Sequence, residues 1–251
     1  SIQTIDTTGD VGVGTSLCVL PNGDPAVSYI DTTQQMPKYA EYVGANWQID
    51  SIDAYGDGWT SLIALSNGTP VLCFHGEDAL RYAYRGEGWQ VDTIEAGDGE
   101  DVGPYPTLVL LNNDNPAASY LRIGTDQSGE DKDLKYAWFN GEGWERTTVD
   151  TGGFEGDVGA FASMTLLPTG DPAISYVNES DATLKYAVRA GESWSTTTVD
   201  SSGQVNGDTS IAALPTGYPA IAYGYGARRS DAGLHYAWYD GDDWQVEDVD
   251  L

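Results

Sequence analysis

The chain has 251 residues, of which 40% are apolar and 11% aromatic, so it can form one large folded domain. Only 11 Lys and Arg stand against 39 Asp and Glu, which gives a formal net charge of −28. Nucleic-acid binders need a basic surface and anionic membranes repel acidic chains, so we expect neither partner. No apolar run approaches the roughly 18 residues of a membrane span, so we expect no membrane insertion.

A unit of about 50 residues repeats along the chain. Its clearest mark is Tyr-Ala, a gap, Gly, two residues and Trp, and the Trp residues are spaced by 42, 55, 50 and 50 positions. The five copies carry Tyr39 and Trp47, Tyr82 and Trp89, Tyr136 and Trp144, Tyr186 and Trp194, and Tyr236 and Trp244. Because each of these rings recurs in every unit, we interpret both sets as packing between blades rather than as a ligand site.

Each unit predicts four short strands. The first is an apolar run, and a turn rich in Asn, Gly and Pro follows it. The second strand starts at the Pro, the third carries Tyr-Ala, and the fourth begins at the Trp. With no helical period in the chain, this order predicts an all-β fold, a five-bladed β-propeller of four-stranded antiparallel blades. The whole chain is then one domain, with blades at about 7–53, 54–95, 96–150, 151–200 and 201–251.

A sixth copy of the outer-strand ending, Thr4-Ile5-Asp6, precedes the first complete unit. Residues 1–6 either add an outer strand to the last blade and close the ring, or belong to a preceding blade of a longer array. We expect ring closure.

A basic residue precedes Tyr-Ala in every unit. These residues are Lys38, Arg81, Lys135, Lys185 and His235. They form either a ring for an anionic ligand or ion pairs with acids on the fourth strand of the same blade, such as Lys135 with Asp150, because diagonal neighbours on paired strands are within reach. We expect the ion pairs.

The loops that lead into the blades differ from one another and are therefore better guides to function. The position before the first strand of each blade holds Gly14, Trp59, Tyr105, Phe161 and Asp208. Aromatic rings there can stack on sugars or can wedge between blades. The loops after the second strands supply three further candidate ligand-binding residues, which are His75, Arg228 and Arg229.

Each loop that leads into a blade also carries an Asp. If these carboxylates gather near the axis, they suggest a site for Ca²⁺, which prefers oxygen ligands. The candidate ligands are Asp10, Asp57, Asp101 and Asp157. In the alternative interpretation each Asp caps its own turn, and no cofactor is expected. Asp10, Asp101 and Asp157 are the catalytic candidates for a glycoside hydrolase. A polysaccharide lyase would instead use His75 with a Tyr.

The unit D-V-G-x-x-x-S-L…G-x-P-A-x-S-Y…L-K-Y-A…G-x-x-W resembles the tandem propeller repeats of many bacterial and archaeal secreted or surface proteins. The resemblance covers nearly the whole chain and implies an extracellular or cell-surface location. The Gly-x-x-Trp turn also resembles the Asp-box turn of sialidase-like propellers. The Asp position of that box holds Tyr42, Tyr84, Phe139, Arg189 and Tyr239, so we expect no sialidase activity.

These patterns favour a non-enzymatic, lectin-like module that binds a glycan or surface polysaccharide on the loop face near the axis. A glycan-active enzyme and a scaffold for protein partners are the alternatives, and the ring is either monomeric or part of a larger array. The abundance of acid with few bases is typical of proteins from salty surroundings, where ions screen self-repulsion. Cys18 and Cys73 are expected to be two thiols rather than a pair.

Overall fold

The computed structural model describes residues 2–125, 130–153, 156–226 and 232–250. The strands of the first two blades are β1 (Val11–Val19), β2 (Pro25–Asp31), β3 (Met36–Val43), β4 (Asn46–Ser51), β5 (Thr60–Ala64), β6 (Pro70–His75), β7 (Ala79–Arg85) and β8 (Trp89–Ala96). Those of blade 3 are β9 (Asp101–Val102), β10 (Thr107–Leu110), β11 (Pro116–Thr125), β12 (Glu130–Phe139) and β13 (Trp144–Asp150). Those of blades 4 and 5 are β14 (Val158–Leu166), β15 (Pro172–Asn178), β16 (Thr183–Ala190), β17 (Ser193–Asp200), β18 (Val205–Ala213), β19 (Pro219–Tyr225), β20 (Gly233–Tyr239) and β21 (Trp244–Asp250).

Every blade is an antiparallel sheet whose strands follow one another in chain order, with the short β9 added beside β11 in blade 3. This confirms the prediction of a five-bladed β-propeller. The part of the chain that the structure describes contains no membrane-spanning helix.

The alternation of strand direction gives the propeller two different ends. The loops between blades and the loops after each second strand share one end, which we call the loop end. The Asn-Gly-x-Pro and Gly-x-x-Trp turns share the other, which we call the turn end. Side chains close the first kind of turn locally: Asn22 Oδ1 accepts from the Asp24 N–H at 2.9 Å, and Gly23 takes the left-handed conformation at φ 88°.

Successive blades pack through four apolar clusters, one at each junction from blades 1–2 to blades 4–5. At every junction a Tyr of one blade meets a Trp of the next with ring centroids 5.1 Å apart. The pairs are Tyr39–Trp89, Tyr82–Trp144, Tyr136–Trp194 and Tyr186–Trp244. The interpretation of these rings as blade packing is confirmed at these four junctions.

An acid at the end of one blade also binds a Tyr and a Lys of the next. Asp150 of blade 3 accepts hydrogen bonds from the Tyr176 hydroxyl at 2.6 Å and from the Lys185 ammonium. The same arrangement joins Glu95 to Tyr120 and Lys135, Asp200 to Tyr223, and Asp6 to Tyr29 and Lys38. Blades 2, 3 and 4 therefore each carry the acid that contacts the next blade, and Asp6 of the N-terminal segment makes the same contact with blade 1.

The predicted ion pairs with acids on the fourth strand of the same blade are wrong for Lys38, Arg81, Lys135 and Lys185, whereas His235 does contact such an acid, although it is Asp248 and not Asp250. A β-bulge after Leu134 places Asp150 opposite Leu134, although Lys135 does pair with Thr148 as expected. The bulge brings the Asp150 carboxylate to blade 4, so Lys135 meets Glu95 of the preceding blade instead. The remaining bases pair as Lys38 with Asp6 and Asp31, Arg81 with Glu77, Lys185 with Asp150, and His235 with Asp248.

The N-terminal segment does not add a strand to the last blade. Residues 2–6 belong to no strand, and the sheet of blade 5 consists of β18, β19, β20 and β21. Asp6 instead contacts Tyr29 and Lys38 of blade 1, in the place that the acid of a preceding blade occupies elsewhere. The expected ring closure by this segment is therefore not seen in the described residues.

The two cysteines are free thiols, as expected. Burial raises the pKa of the Cys18 thiol to about 11, with a further contribution from the charge of Glu41. Burial also raises the pKa of Cys73, which lies on β6 inside the junction between blades 2 and 3. Both thiols are therefore protonated near neutral pH.

Candidate functional site

Three aromatic rings from successive blades form a continuous row at the loop end. The ring centroids of Trp59 and Tyr105 are 4.6 Å apart, and those of Tyr105 and Phe161 are 4.8 Å apart. The three residues share one repeat position: Trp59 and Tyr105 shortly precede β5 and β10, and Phe161 is the fourth residue of the longer β14. We call these three residues the aromatic row. Phe161 also packs against the cluster between blades 4 and 5, so it serves as a wedge as well.

The backbone at this repeat position is unusual. Tyr105 and Phe161 have φ values of 51° and 53°, a left-handed conformation that is uncommon for large side chains, and Gly14 adopts it at φ 58°. The next blade holds the conformation in place, since the Thr60 hydroxyl donates to the Gly14 carbonyl at 2.7 Å and that of Thr209 to the Phe161 carbonyl at 2.8 Å. Strained positions of this kind concentrate at functional sites.

All five predicted positions meet around one small cavity on the propeller axis. The cavity has a volume of about 140 Å³, and its lining includes Gly14, Trp59, Tyr105, Phe161 and Asp208. The blades therefore bring together residues that are separated by about 50 positions in sequence. Their role in binding remains a prediction.

A second group, the His75 cluster, adjoins the aromatic row. Nδ1 of His75 lies 2.7 Å from Oδ1 of Asp57, and Nε2 lies 2.7 Å from Oδ1 of Asp101. The edge of the His75 ring faces Trp59 at a centroid distance of 6.4 Å. The cluster therefore joins blade 2 to the loop that leads into blade 3.

The local chain explains where this histidine lies. Strand β6 ends at His75, and the following turn is tight because Glu77 and Asp78 both adopt left-handed φ values of 56° and 55°. His75 is buried, while Asp57 and Asp101 are partly exposed. Because each ring nitrogen lies within hydrogen-bond distance of a carboxylate, the two acids fix the orientation of the ring.

Two other predicted carboxylates, Asp10 and Asp157, belong to loops with contacts of their own. The backbone N–H of Asp10 donates to Thr33 Oγ1 at 2.8 Å, and that of Asp157 donates to Ser180 Oγ at 2.9 Å. These contacts fix the loops of blades 1 and 4 but do not join either residue to His75. Of the catalytic set of Asp10, Asp101 and Asp157, Asp101 contacts His75, and the catalytic role of the set stays a prediction.

The predicted calcium ligands are likewise only partly assembled, since His75 links Asp57 and Asp101 alone. Possible metal-ligand atoms of His75, Asp78 and Asp101 do lie within 4.8 Å of one another. Ca²⁺ prefers six to eight oxygen ligands, which one imidazole and two carboxylates do not supply. Calcium binding stays a prediction. The candidates Arg228 and Arg229 lie outside the described residues.

One residue that the sequence analysis did not single out, Arg122, organises the loop end of blade 3. Its Nε donates to Glu100 at 2.6 Å and its Nη1 to Asp133 at 2.7 Å. The hydrogen bond from Arg122 holds the pKa of Glu100 below its usual range. Arg122 thereby ties the long β11–β12 hairpin to the loop carrying Asp101. The sequence did contain a signal for this residue, because a basic side chain two residues after Tyr120 is unusual in so acidic a chain.

Comparison with known proteins identifies the fold. No family model and no curated protein matches the sequence. Among solved structures, a protein of unknown function from Dyadobacter fermentans matches with a TM-score of 0.69 and 13% identity, over 95% of this chain and 82% of that one.

Two further similar structures have names that state an activity. An α-L-arabinanase from Penicillium chrysogenum, complexed with arabinobiose, matches with a TM-score of 0.63 and 16% identity, over 93% of this chain and 80% of that one. An ulvan lyase, described as a new family of polysaccharide lyase, matches with a TM-score of 0.67 and 15% identity, over 93% and 68% of the two chains. At these identities the likeness is one of fold.

Proposed function

We propose that the loop end binds a carbohydrate chain, with the aromatic row as its platform. The observation that carries the proposal is the contact of Trp59, Tyr105 and Phe161 around the axis. Aromatic rings offer a large rigid apolar surface at a small cost in conformational entropy, which suits the C–H faces of sugar rings. Three rings in a row suit a chain of sugars better than a single one.

The polar groups beside the row support a neutral sugar. Asp57 and Asp101 are partly exposed and can accept hydrogen bonds from sugar hydroxyls beside Trp59. Asp208 supplies a carboxylate to the lining of the cavity itself. These charges, and the net charge of −28, repel an anionic ligand such as a uronate.

The comparison adds support of a different kind. The arabinanase was solved with arabinobiose, and the lyase is described as acting on a polysaccharide. Carbohydrate sites therefore occur on the same fold in other proteins, although fold alone does not assign function. A secreted or cell-surface location accompanies this proposal.

The geometry of His75 favours binding over catalysis. A general acid or base must reach a substrate proton through a free donor or acceptor. Both ring nitrogens of His75 already bind carboxylates, and the residue is buried. The ring therefore serves to orient Asp57 and Asp101, and each contact uses Oδ1, so Oδ2 of Asp101 is left for a ligand.

A glycan array, followed by calorimetry with the best oligosaccharide, tests the proposal. We expect saturable binding to a neutral glycan, and Trp59→Ala or Tyr105→Ala should weaken it about tenfold through loss of the stacking surface. Tyr218→Ala is the matched control, because Tyr218 is exposed to nearly the same degree as Trp59, 41% against 39%, but belongs to the turn end.

Three results would contradict the proposal. They are the absence of binding to any glycan, equal loss in the Tyr218→Ala control, and release of products from the bound polysaccharide. The last result would establish an enzyme instead. Repeating the titration in calcium and in chelator tests the calcium prediction separately.

A further inference from the structure

At the turn end, each junction between blades has an aromatic floor made by the Tyr–Trp pair described above. A side chain of the later blade, three residues after its own Tyr, is placed over this floor. From blade 2 to blade 5 that repeat position holds Arg85, Phe139, Arg189 and Tyr239. The four grooves therefore share a floor and differ in what covers it.

The groove between blades 1 and 2 contains a guanidinium group. Arg85 lies over the rings of Tyr39 and Trp89, 5.8 Å and 6.0 Å from their centroids. Its Nη2 is 2.8 Å from Asp50 and its Nη1 is 3.3 Å from Glu41. Two acids and two rings thus hold one internal cation.

The groove between blades 3 and 4 contains another guanidinium group. Arg189 lies over Tyr136 at 5.3 Å and over Trp138 at 4.6 Å. Cations are attracted to the negative face of an aromatic ring, and arginine does this most often. At two of the junctions the chain thus supplies its own arginine as a ligand.

The groove between blades 2 and 3 has the same floor and an acid, but no arginine at this position. Tyr82 meets Trp144 at 5.1 Å and stacks with Tyr84 at 5.9 Å. Asp92 lines this groove. It holds the same repeat position as Asp50, the acid that binds Arg85 in the groove between blades 1 and 2.

This groove is open and is not filled by another base. Phe139 replaces the arginine at its edge, and a volume of about 380 Å³ is left. Arg146, the base of blade 3 at the same junction, donates to the Ile94 carbonyl at 2.8 Å. Asp92 forms no ion pair within the described residues.

We infer that the groove between blades 2 and 3 binds a guanidinium group from outside, the arginine side chain of a partner peptide. Tyr82, Tyr84 and Trp144 face the cation, and Asp92 pairs with it as Asp50 pairs with Arg85. A guanidinium group fits because it combines a flat face for stacking with N–H donors for a carboxylate. The net charge of −28 attracts basic peptides to the surface. This site lies at the opposite end from the proposed carbohydrate site and does not depend on it.

Ligand-detected NMR with N-acetylarginine amide tests the inference, with the citrulline analogue as the neutral control of the same shape. We expect saturable binding of the arginine compound, with a dissociation constant on the order of 1 mM, and at least tenfold weaker binding of the citrulline compound. Equal binding of the two would overturn the inference, because the cation would then contribute nothing.

Three variants locate the site. Phe139→Arg supplies an internal arginine as in the neighbouring grooves and should abolish binding. Asp92→Asn should weaken binding about tenfold, since it removes a charge-assisted hydrogen bond, whereas Glu247→Gln at the same repeat position of blade 5 should not change it. Arg85→Phe should open the groove between blades 1 and 2 and raise the stoichiometry from one to two.

Asp92 is exposed, so Asp92→Asn keeps the test valid if Phe139→Arg fails to fold. A thermal melt of each variant identifies such a failure. Unchanged binding in Asp92→Asn, with wild-type folding, would overturn the inference.

Discussion

The four packed junctions differ from the two outer faces of the blade array, although the same sequence pattern builds both. Leu17 on β1 is 65% exposed, whereas its repeat counterparts on the other first strands are 3–7% exposed. Those counterparts are Leu62, Leu108, Met164 and Ile211. At the other outer face, Leu234 of blade 5 is 44% exposed, whereas Leu80, Leu134 and Leu184 are fully buried.

This difference shows that each blade carries two packing faces and that the burial of each face depends on whether a neighbouring blade covers it. Leu17 faces away from blade 2, and Leu234 faces away from blade 4, so these faces would meet if the ring closed. In the described structure both are open, and Val249 beside Leu234 is exposed as well. Repetition in sequence therefore predicts the packing surface but not whether it is covered.

The largest expected effect comes from truncating one leucine on each kind of face. Leu108→Ala should lower the free energy of unfolding by about 3 kcal/mol, since it leaves a cavity between blades 2 and 3. Leu17→Ala should lower it by less than about 0.5 kcal/mol, because an exposed side chain loses little on truncation. Urea unfolding of both variants measures the difference. If both variants lose the same free energy of unfolding, the Leu17 face is covered in solution. The packed junctions and the outer faces would then not differ.

A smaller effect is expected from the acids that join blades. Asp150→Asn should lower the free energy of unfolding by about 2 kcal/mol, because it leaves the largely buried Lys185 without its counter-charge and weakens the bond to Tyr176. Asp53→Asn is the matched control and should change it by less than about 0.5 kcal/mol. Asp53 is exposed, and blade 2 has Phe74 where blade 4 has Tyr176. If both variants lose the same amount, the contact between blades is not what stabilises them.

The smallest effect is a dependence on pH at the N-terminal segment. The backbone N–H of Thr8 together with Lys38 and Tyr29 lowers the pKa of Asp6 from 3.8 to about 2, against the opposing effect of burial. Because the folded pKa is the lower one, the stabilisation by Asp6 is present above pH 4 and is lost as the pH falls towards 2. The difference in unfolding free energy between wild type and Asp6→Asn should therefore shrink over this range. A difference that stays constant down to pH 2 would show that the contacts with Thr8, Lys38 and Tyr29 do not stabilise the Asp6 carboxylate in the folded protein.

Much of the fold and part of the site could be predicted from local pattern. The Tyr-Ala…Gly-x-x-Trp repeat and the Asn-Gly-x-Pro turns indicated five blades, and the position before each first strand indicated the residues that meet on the axis. Equivalent positions at the innermost strands of a propeller lie close to its axis, so Trp59, Tyr105 and Phe161 could be placed near one another without a structure. Their binding role is still to be tested.

Two expectations were wrong because they depended on how one blade sits on the next. Lys135 was assigned to Asp150 of its own blade, but the β-bulge after Leu134 directs that acid to blade 4. Residues 1–6 were expected to extend the last blade, yet Asp6 binds Lys38 of the first. The predicted pairing of Lys135 with Thr148 inside blade 3 was correct. The error concerned the contact that Asp150 makes with the next blade.

The sequence by itself determined the blades, their order and the side of each strand that packs, because these follow from turns and from alternation along a few residues. Only the tertiary structure decided which side chains of different blades meet. It placed His75 between Asp57 and Asp101, put Arg85 over Tyr39, and left the groove beside Asp92 without an arginine. Such contacts depend on the rotation and spacing of one rigid sheet against another, which no local spacing in the sequence encodes.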